Sequence, residues 1–350
     1  MIRTDSKLAL LMHGHLRSRN GKMGFGLLRY SDATVVCAVG AEEAGADMGE
    51  ITGIVRARSV PVVASVNDAL TLGADTLVIA VATSGGVLPP GYREEILTGL
   101  RGGMSLVNGL HGRYADDPEF AAAKRSSAYI WDVRAEPAGL VSGRGRALAL
   151  ACKRVLTVGT DMAIGKMTAS LELDRAARAR GLRSTFIATG QIGICISGDG
   201  VALDAVRVDF ASGSIETMCL KYGPTSDILW VEGQGSAVHP GSTAWVALLR
   251  GSMATDMVLV HRPGQRTLDG LDHIAMPPLP DVIALYEAAA HPSASYPNAK
   301  VRGIALNCAT LSDAEALRAV RETEELTGLP AADVVRHGPQ KLLDAVLAGT

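Results

Sequence analysis

Aromatic residues are scarce in this sequence: Phe, Trp and Tyr fill 4% of its 350 positions. A basic surplus is missing too, since 34 Lys and Arg face 36 Asp and Glu for a formal net charge of -2. Nucleic-acid binders need cations for phosphates and flat rings for stacking, so these two shortages argue against a nucleic-acid partner. The cysteines Cys37, Cys152, Cys195, Cys219 and Cys308 are odd in number, scattered, and form no C-x-x-C pair. That pattern is no disulfide framework and suits a reducing compartment. No apolar run approaches the roughly 20 residues of a bilayer-spanning helix, and no basic-then-apolar leader opens the chain. Internal repeats and low-complexity tracts are absent. The expectation is a cytoplasmic globular protein with no membrane partner.

What is present is a 47% apolar composition and enough length for two cored domains. The most informative stretch is 154–180, RVLTVGTDMAIGKMTASLELDRAARAR. Val155 to Val158 is of strand type, Gly159 to Gly165 is a glycine-bounded loop, and Lys166 opens an amphipathic helical pattern. Strand, glycine loop and helix with Gly-Lys at the helix start build an anion cradle, in which backbone N–H groups and a lysine converge on a phosphate. The pattern G-x-x-x-x-G-K-[ST] is missed twice. Thr160 stands at the first glycine position, with Gly159 one residue earlier, and Met167 follows the lysine so that the hydroxyl arrives only at Thr168. An ordinary glycine turn is the plainer alternative.

Around this stretch, strands and helices alternate. Strand-type runs occupy 7–12, 34–39, 60–65, 75–82, 104–111 and 128–134 in the first part, then 184–189, 205–210, 227–233, 257–264 and 301–307 in the second. Helices are expected over 67–73 with Asn67 as N-cap, over 90–101, and after Asp117-Pro118, while 21–30 reads as a short helix or glycine loop. Ser312 and Glu315 form a capping box for a helix ending near Gly328, and 276–297 reads as a surface loop with one short helix. Such alternation predicts an α/β protein with doubly wound parallel sheets and ligands at the carboxyl ends of the strands. In the first part those ends are Ser84-Gly85-Gly86 and Asn108-Gly109-Leu110-His111.

Several side chains fall at such strand ends. Glu232 closes the run before Gly233-Gln234-Gly235-Ser236, where a carboxylate either holds a metal or acts as a base. Asp209 is a second acid at a run's end, and His239 lies in a glycine- and proline-flanked loop. Arg262, after His261, and Gln191, in TGQIG, are substrate-binding candidates. His13-x-His15 has metal-pair spacing without a third ligand nearby, so no metal site is expected.

Gly159-Thr160-Asp161 with Gly165-Lys166, and later Val231-Glu232-Gly233 with Gly235, resemble dethiobiotin synthetase and related P-loop ATPases. A resemblance over nearly the whole chain is carried by NGKMGFGLLRY, SLVNGLH, GTDMAIGKMTASLEL, FIATGQIGI and WVEGQGSAVHP. These segments look like the DgcN-like family of D-glutamate N-acetyltransferases. The resemblance implies a Rossmann-like domain, placed at 1–135, a linker at 136–150, and a P-loop NTPase-like domain at 151–350. It also implies a homodimer and acetyl-CoA-dependent N-acetylation of D-glutamate or a similar acidic amino acid.

The residues themselves help to choose between the two likenesses. An ATP-hydrolysing loop places a Ser or Thr hydroxyl on Mg²⁺ directly after the lysine. Met167 offers none, whereas coenzyme A presents phosphates to the same cradle without requiring that metal. The expectation is therefore an acetyl-CoA site made by Gly159, Thr160, Asp161, Gly165, Lys166, Met167 and Thr168. Glu232 or His239 is the base, and Arg262, Arg113 and Gln191 meet the substrate. The alternatives are an ATP- and Mg²⁺-dependent ligase or kinase with Glu232 on the metal, and a nucleotide-sensing module without turnover.

Overall fold

The computed structural model describes residues 1–349. The chain divides into two compact units, one made of 1–136 with 191–205 and the other of 137–190 with 206–350.

The first unit runs β1 (Lys7–Leu11), α1 (Lys22–Tyr30), β2 (Thr34–Val39), α2 (Met48–Thr52), β3 (Val62–Val63), α3 (Val66–Thr71) and β4 (Thr76–Ile79), then α4 (Tyr92–Gly102), β5 (Ser105–Asn108), α5 (Pro118–Ala123) and β6 (Ile130–Asp132). All strand pairs are parallel, in the order β3-β2-β1-β4-β5-β6. β4 and β5 are buried along their whole length, as strands covered by helices on both faces must be. α4 supplies one cover, with Tyr92, Ile96, Leu97 and Leu100 buried at helical spacing. Asp117 caps α5 through the N–H groups of Glu119 and Phe120, with Pro118 at the first position. The cap of α3 is Ser65, not the expected Asn67. Ser65 and Asp68 form a full capping box, which satisfies two backbone groups where Asn67 would satisfy one.

The second unit opens with β7 (Lys153–Gly159), α6 (Lys166–Ala179) and β8 (Ser184–Ile187). The chain next forms α7 (Gln191–Ser197), which belongs to the first unit. It continues with α8 (Val208–Tyr222), β9 (Ile228–Val231), α9 (Ala244–Ser252), β10 (Asp256–His261), the hairpin β11 (Thr267–Leu268) and β12 (Leu271–Ala275), and α10 (Leu279–Ala290). β13 (Lys300–Leu306), α11 (Asp313–Thr327), β14 (Ala331–Ala332) and α12 (Gln340–Ala348) complete it. Its sheet is parallel with the order β14-β13-β10-β7-β9-β8. β7 is therefore central, flanked by β9 and β10, and the carboxyl ends of all three share one edge. Trp230 of β9 is fully buried, and its indole N–H donates to Ser184 Oγ (3.1 Å), whose hydroxyl donates to Asp174 of α6 (2.6 Å). That chain of bonds fixes the helix behind the glycine loop to two strands at once.

Four expectations are revised. Residues 205–210 form no strand: α8 starts at Val208, because Ala211, Ile215, Met218 and Cys219 set a buried helical period that outweighs the local Val alternation. Residues 276–297 hold the twelve-residue α10, whose Leu279, Val282, Tyr286 and Ala290 are buried. The stretch 136–150 is no free linker. From Pro137 onward it belongs to the second unit, where Glu216 of α8, 1% exposed, accepts from the backbone N–H groups of Arg144 and Arg146 and from the Arg146 guanidinium. Finally, 191–205 leaves the expected 151–350 domain, and the Arg134–Asp204 ion pair (2.9 Å) is one of its ties to the first unit. No helix among the described residues is long and apolar enough to cross a membrane.

Candidate active site at the carboxyl edge of the second sheet

β7 delivers the chain to Gly159, and the loop then turns through Ala163 at φ 52° and Gly165 at φ 111° before α6 begins at Lys166. Left-handed residues alternating with right-handed ones aim successive backbone N–H groups into one concavity, the geometry that holds anions. Ala169 is the first helical residue whose N–H finds a backbone carbonyl, that of Gly165 (2.9 Å), so the N–H groups ahead of it lack ladder partners by helix geometry. Lys166 Nζ lies buried over the loop and donates to the Asp161 carbonyl (2.8 Å). Burial lowers its ammonium to about 8, while Asp161 and Glu232 pull the other way. Since the helix opens on Lys166 itself, Met167 occupies the position after the lysine, and Thr168 lies about 100° further round the helix.

Glu232 sits one residue beyond β9, buried at 4% exposure. Its Oε2 accepts from the N–H groups of Thr189 (2.8 Å) and Gly190 (3.1 Å), just past β8. Burial nevertheless dominates and raises its carboxyl to about 7, with those two N–H groups, Lys166 and Gln234 opposing. The structure thus brings together the glycine loop, Lys166 and Glu232. They make no direct ion pair, and each side chain is held by backbone groups from a different strand end. Gly233 is needed for this closeness: a Cβ there would lie 1.8 Å from the Thr157 carbonyl oxygen and 2.9 Å from Lys166 Cδ. Because the nearest obstacle is backbone, Gly233→Ala is expected to cost about 1–3 kcal/mol or more. Thermal unfolding should show it as a Tm several degrees lower; an unchanged Tm would contradict the close approach.

Four residues of the site were not picked out from the sequence. Tyr286 of α10 donates from its hydroxyl to the Gly159 carbonyl (2.8 Å) and accepts from the Ala237 N–H (2.8 Å), tying the loop after Glu232 to the end of β7. Asn307, just past β13, donates to the Ile164 carbonyl (2.9 Å). Gln265 Nε2 (2.5 Å) and the Asp269 N–H (2.8 Å) both donate to Asp161 Oδ2. The Asp161 side chain therefore holds the β11–β12 hairpin, and its backbone carbonyl holds Lys166. Tyr286 had a signal in the helical period of 279–290; Asn307, Gln265 and Asp269 had only their places after strands.

The remaining candidates are distributed as follows. Thr160 pairs its hydroxyl with His261 Nδ1 (3.0 Å), and burial with the Arg262 charge lowers His261 to about 4, which leaves it neutral. Arg262 is half-buried and has no ion-pair partner among the described residues. His239 is buried, and its Nδ1 accepts from the Gly241 N–H (3.0 Å), which leaves Nε2 as the ring's donor nitrogen. Asp209 is an exposed acid in the first turn of α8, not a strand-end carboxylate. Arg113 and Gln191 belong to the first unit. Arg113 is already paired with Asp116 (3.3 Å) beside a shallow cavity that includes Ala115 and Trp131, and Gln191 opens α7. His13 accepts from the Ala41 N–H (3.1 Å) and faces Glu95 (3.5 Å), whereas His15 pairs with Ser18 (3.0 Å).

Comparison with known proteins finds two family models along the chain, the second running unbroken through residues 191–205. A family model described as "Domain of unknown function (DUF1611_N) Rossmann-like domain" matches residues 41–136, and one described as "Domain of unknown function (DUF1611_C) P-loop domain" matches 141–343. A crystal structure of a DUF1611 family protein from Anabaena variabilis ATCC 29413 is 51% identical with a TM-score of 0.95, over 98% of this chain and 99% of that one. A D-glutamate N-acetyltransferase from Tritonibacter scottomollicae is 38% identical over 81% of this chain and 84% of its own length. One from a Pseudoalteromonas species is 34% identical over 80% and 83%. The family expected from the sequence motifs is thus the one found: the chain belongs to the DUF1611 family, with a Rossmann-like unit, a P-loop unit, and relatives that are N-acetyltransferases.

Proposed function

We propose that this chain transfers the acetyl group of acetyl-CoA to the amine of D-glutamate or a similar acidic amino acid, with the glycine loop cradling the coenzyme A phosphates. The observation that carries this reading is the loop's combination of a retained lysine with Met167 in the hydroxyl position. It is supported by relatives named D-glutamate N-acetyltransferase that cover four fifths of the chain. A thioether is a poor ligand for a hard cation, so the loop keeps its means of binding phosphate and lacks the hydroxyl that usually contacts Mg²⁺ after the lysine.

In the proposed reaction the free amine attacks the thioester carbonyl, the new C–N bond forms, and the C–S bond breaks to release coenzyme A. The amine's proton passes to Glu232 and ultimately to the departing thiolate. Glu232, raised to about 7, is matched to that task near neutral pH. The Nε2 side of His239 is proposed as a donor to the developing oxyanion, together with loop N–H groups. Arg262 is proposed as a cationic partner for a substrate carboxylate.

Initial rates of coenzyme A release, measured with D-glutamate in the presence and absence of EDTA, test the reading. Turnover is expected to need acetyl-CoA, to survive EDTA unchanged, and to occur without detectable ATP hydrolysis. Loss of wild-type turnover in EDTA, together with loss of turnover in a folded Thr168→Val variant, would favour the nucleotide-dependent ligase or kinase instead.

A further inference from the structure

β8 and β9 pair in parallel, with Ser184 opposite Ile228 and Ile187 opposite Val231. One further pair in that register would set Ala188 against Glu232, closed by two backbone bonds. The first is made: the Glu232 N–H donates to the Ile187 carbonyl (3.0 Å). The second would run from the Thr189 N–H to the Glu232 carbonyl, and here the ladder is diverted. The Thr189 N–H donates instead to Oε2 of the Glu232 side chain (2.8 Å). The Thr189 hydroxyl takes its place and donates to the Glu232 carbonyl (2.7 Å).

This exchange depends on the hydroxyl. Thr189 is 1% exposed and Glu232 4%, and a backbone acceptor buried there without a donor is unfavourable. A residue of the same shape lacking the hydroxyl would return its N–H to the carbonyl and release Oε2. The single hydroxyl proton is spent on that carbonyl, so Thr189 Oγ1 meets Gln234 as an acceptor, from Nε2 (3.2 Å). Oε2 of Glu232 is held by the Thr189 and Gly190 N–H groups, which leaves Oε1 as the oxygen able to take a proton. Gly190 keeps this corner open, since a Cβ there would lie 2.7 Å from Gln234 Nε2 and 3.5 Å from Glu232 Oε1.

We propose that Thr189 is a positioning residue for the base: its hydroxyl takes the Glu232 carbonyl, so that its N–H can hold the Glu232 carboxylate and leave Oε1 free. This rests on the reading of Glu232 as the base. Hydrogen bonds to a carboxylate favour its charged form, so the same contact keeps Glu232 ready to accept a proton. The charged group that acts on Glu232 is Lys166 of α6, and a change at Thr189 leaves it in place.

Two measurements on the full chain test the exchange. One is the pH profile of kcat from coenzyme A release. The other is the titration of the Glu232 carboxyl by infrared difference spectroscopy, with Glu232→Gln as the blank. Thr189→Val keeps the shape and loses the hydroxyl. In it the acid limb of kcat and the carboxyl titration should both move up by roughly one pH unit, a loss of roughly fivefold in kcat at pH 7. Thr189→Ala, a second variant without the hydroxyl, should shift the same way, and Thr189→Ser should restore the wild-type profile. Lost packing alone would lower Tm and move neither readout. If neither moves in a folded Thr189→Val or Thr189→Ala variant, the proposal is overturned and Glu232 stands as the base. A Thr189→Ser variant that shifts as far as Thr189→Val overturns it too. A carboxyl titration that moves while the rate profile stays would uphold the exchange and overturn Glu232 as the base.

Discussion

Lys166→Ala is expected to raise the dissociation constant for acetyl-CoA at least about tenfold while the protein stays folded. A hydrogen bond from a charged donor to an anion contributes about 1.5–3 kcal/mol, which corresponds to a factor of roughly 10 to 150. With its ammonium at about 8, Lys166 is mostly charged at neutral pH, so the full interaction is present there. Among the described residues its ammonium's one hydrogen bond goes to the Asp161 carbonyl, and the loop keeps its other ties through Tyr286 and Asn307. Arginine is not expected to rescue the loss. Gly159 and Gly233 leave room for a lysine and little more, since a Cβ at either would lie 2.9 Å from Lys166 Nζ or Cδ. Calorimetry on wild type, Lys166→Ala and Lys166→Arg checks this. Unchanged affinity in the alanine variant would remove the phosphate-cradle assignment.

The sequence made the centre of this site legible because one short stretch carries its chemistry in order. β7, the glycine loop and α6 follow one another, so the spacing from Gly159 to Lys166 survives folding intact. Glu232 was legible for a related reason: an acid immediately after a buried apolar run must emerge at the edge of a parallel sheet. What remained hidden depended on contacts between distant parts of the chain. Tyr286 reaches Gly159 across 127 positions, and Gln265 reaches Asp161 across 104. No local pattern marks such a bond, because either partner alone reads as an ordinary core or turn residue. The misread strand at 205–210 has a different origin. Val206 and Val208 alternate as a strand does, but Val208 is 80% exposed and the helical period becomes visible only from Ala211 onward.

The division of the chain was hidden for a topological reason. A contiguous boundary is the natural reading of one glycine-rich stretch at 136–150, yet residues 191–205 return to the first unit after β8. Their sequence has no composition shift to announce this. Gln191 therefore looked like a strand-end partner of the glycine loop, as did Glu232, although the two belong to different units.

Glu232→Gln is expected to lower kcat by two to three orders of magnitude with little change in acetyl-CoA affinity. General-base catalysis by a positioned side chain contributes roughly 10²–10⁴-fold, and an amide keeps the shape while losing the basicity. The Thr189 and Gly190 N–H groups can still be accepted by the amide oxygen, so the fold has no reason to fail. Stability makes this checkable. The carboxyl of Glu232 is raised by burial from 4.5 to about 7, so the folded state holds its proton more tightly than the unfolded chain does. The stability this group contributes is full below about 4.5 and is lost as pH rises through about 7. Glu232→Gln should lack that loss, and its Tm at pH 8 should equal or exceed that of wild type. In wild type the rate must fall as pH drops through about 7, because the base is then protonated. Above about 8, kcat/KM for acetyl-CoA should fall as free Lys166 loses its proton. The same limb should move to higher pH in kcat, because a bound phosphate holds that proton on. A Glu232→Gln variant that is folded, binds acetyl-CoA and retains wild-type kcat would exclude Glu232 as the base. Loss of acetyl-CoA binding in that variant, appearing only with Mg²⁺ present, would instead mark Glu232 as a metal ligand.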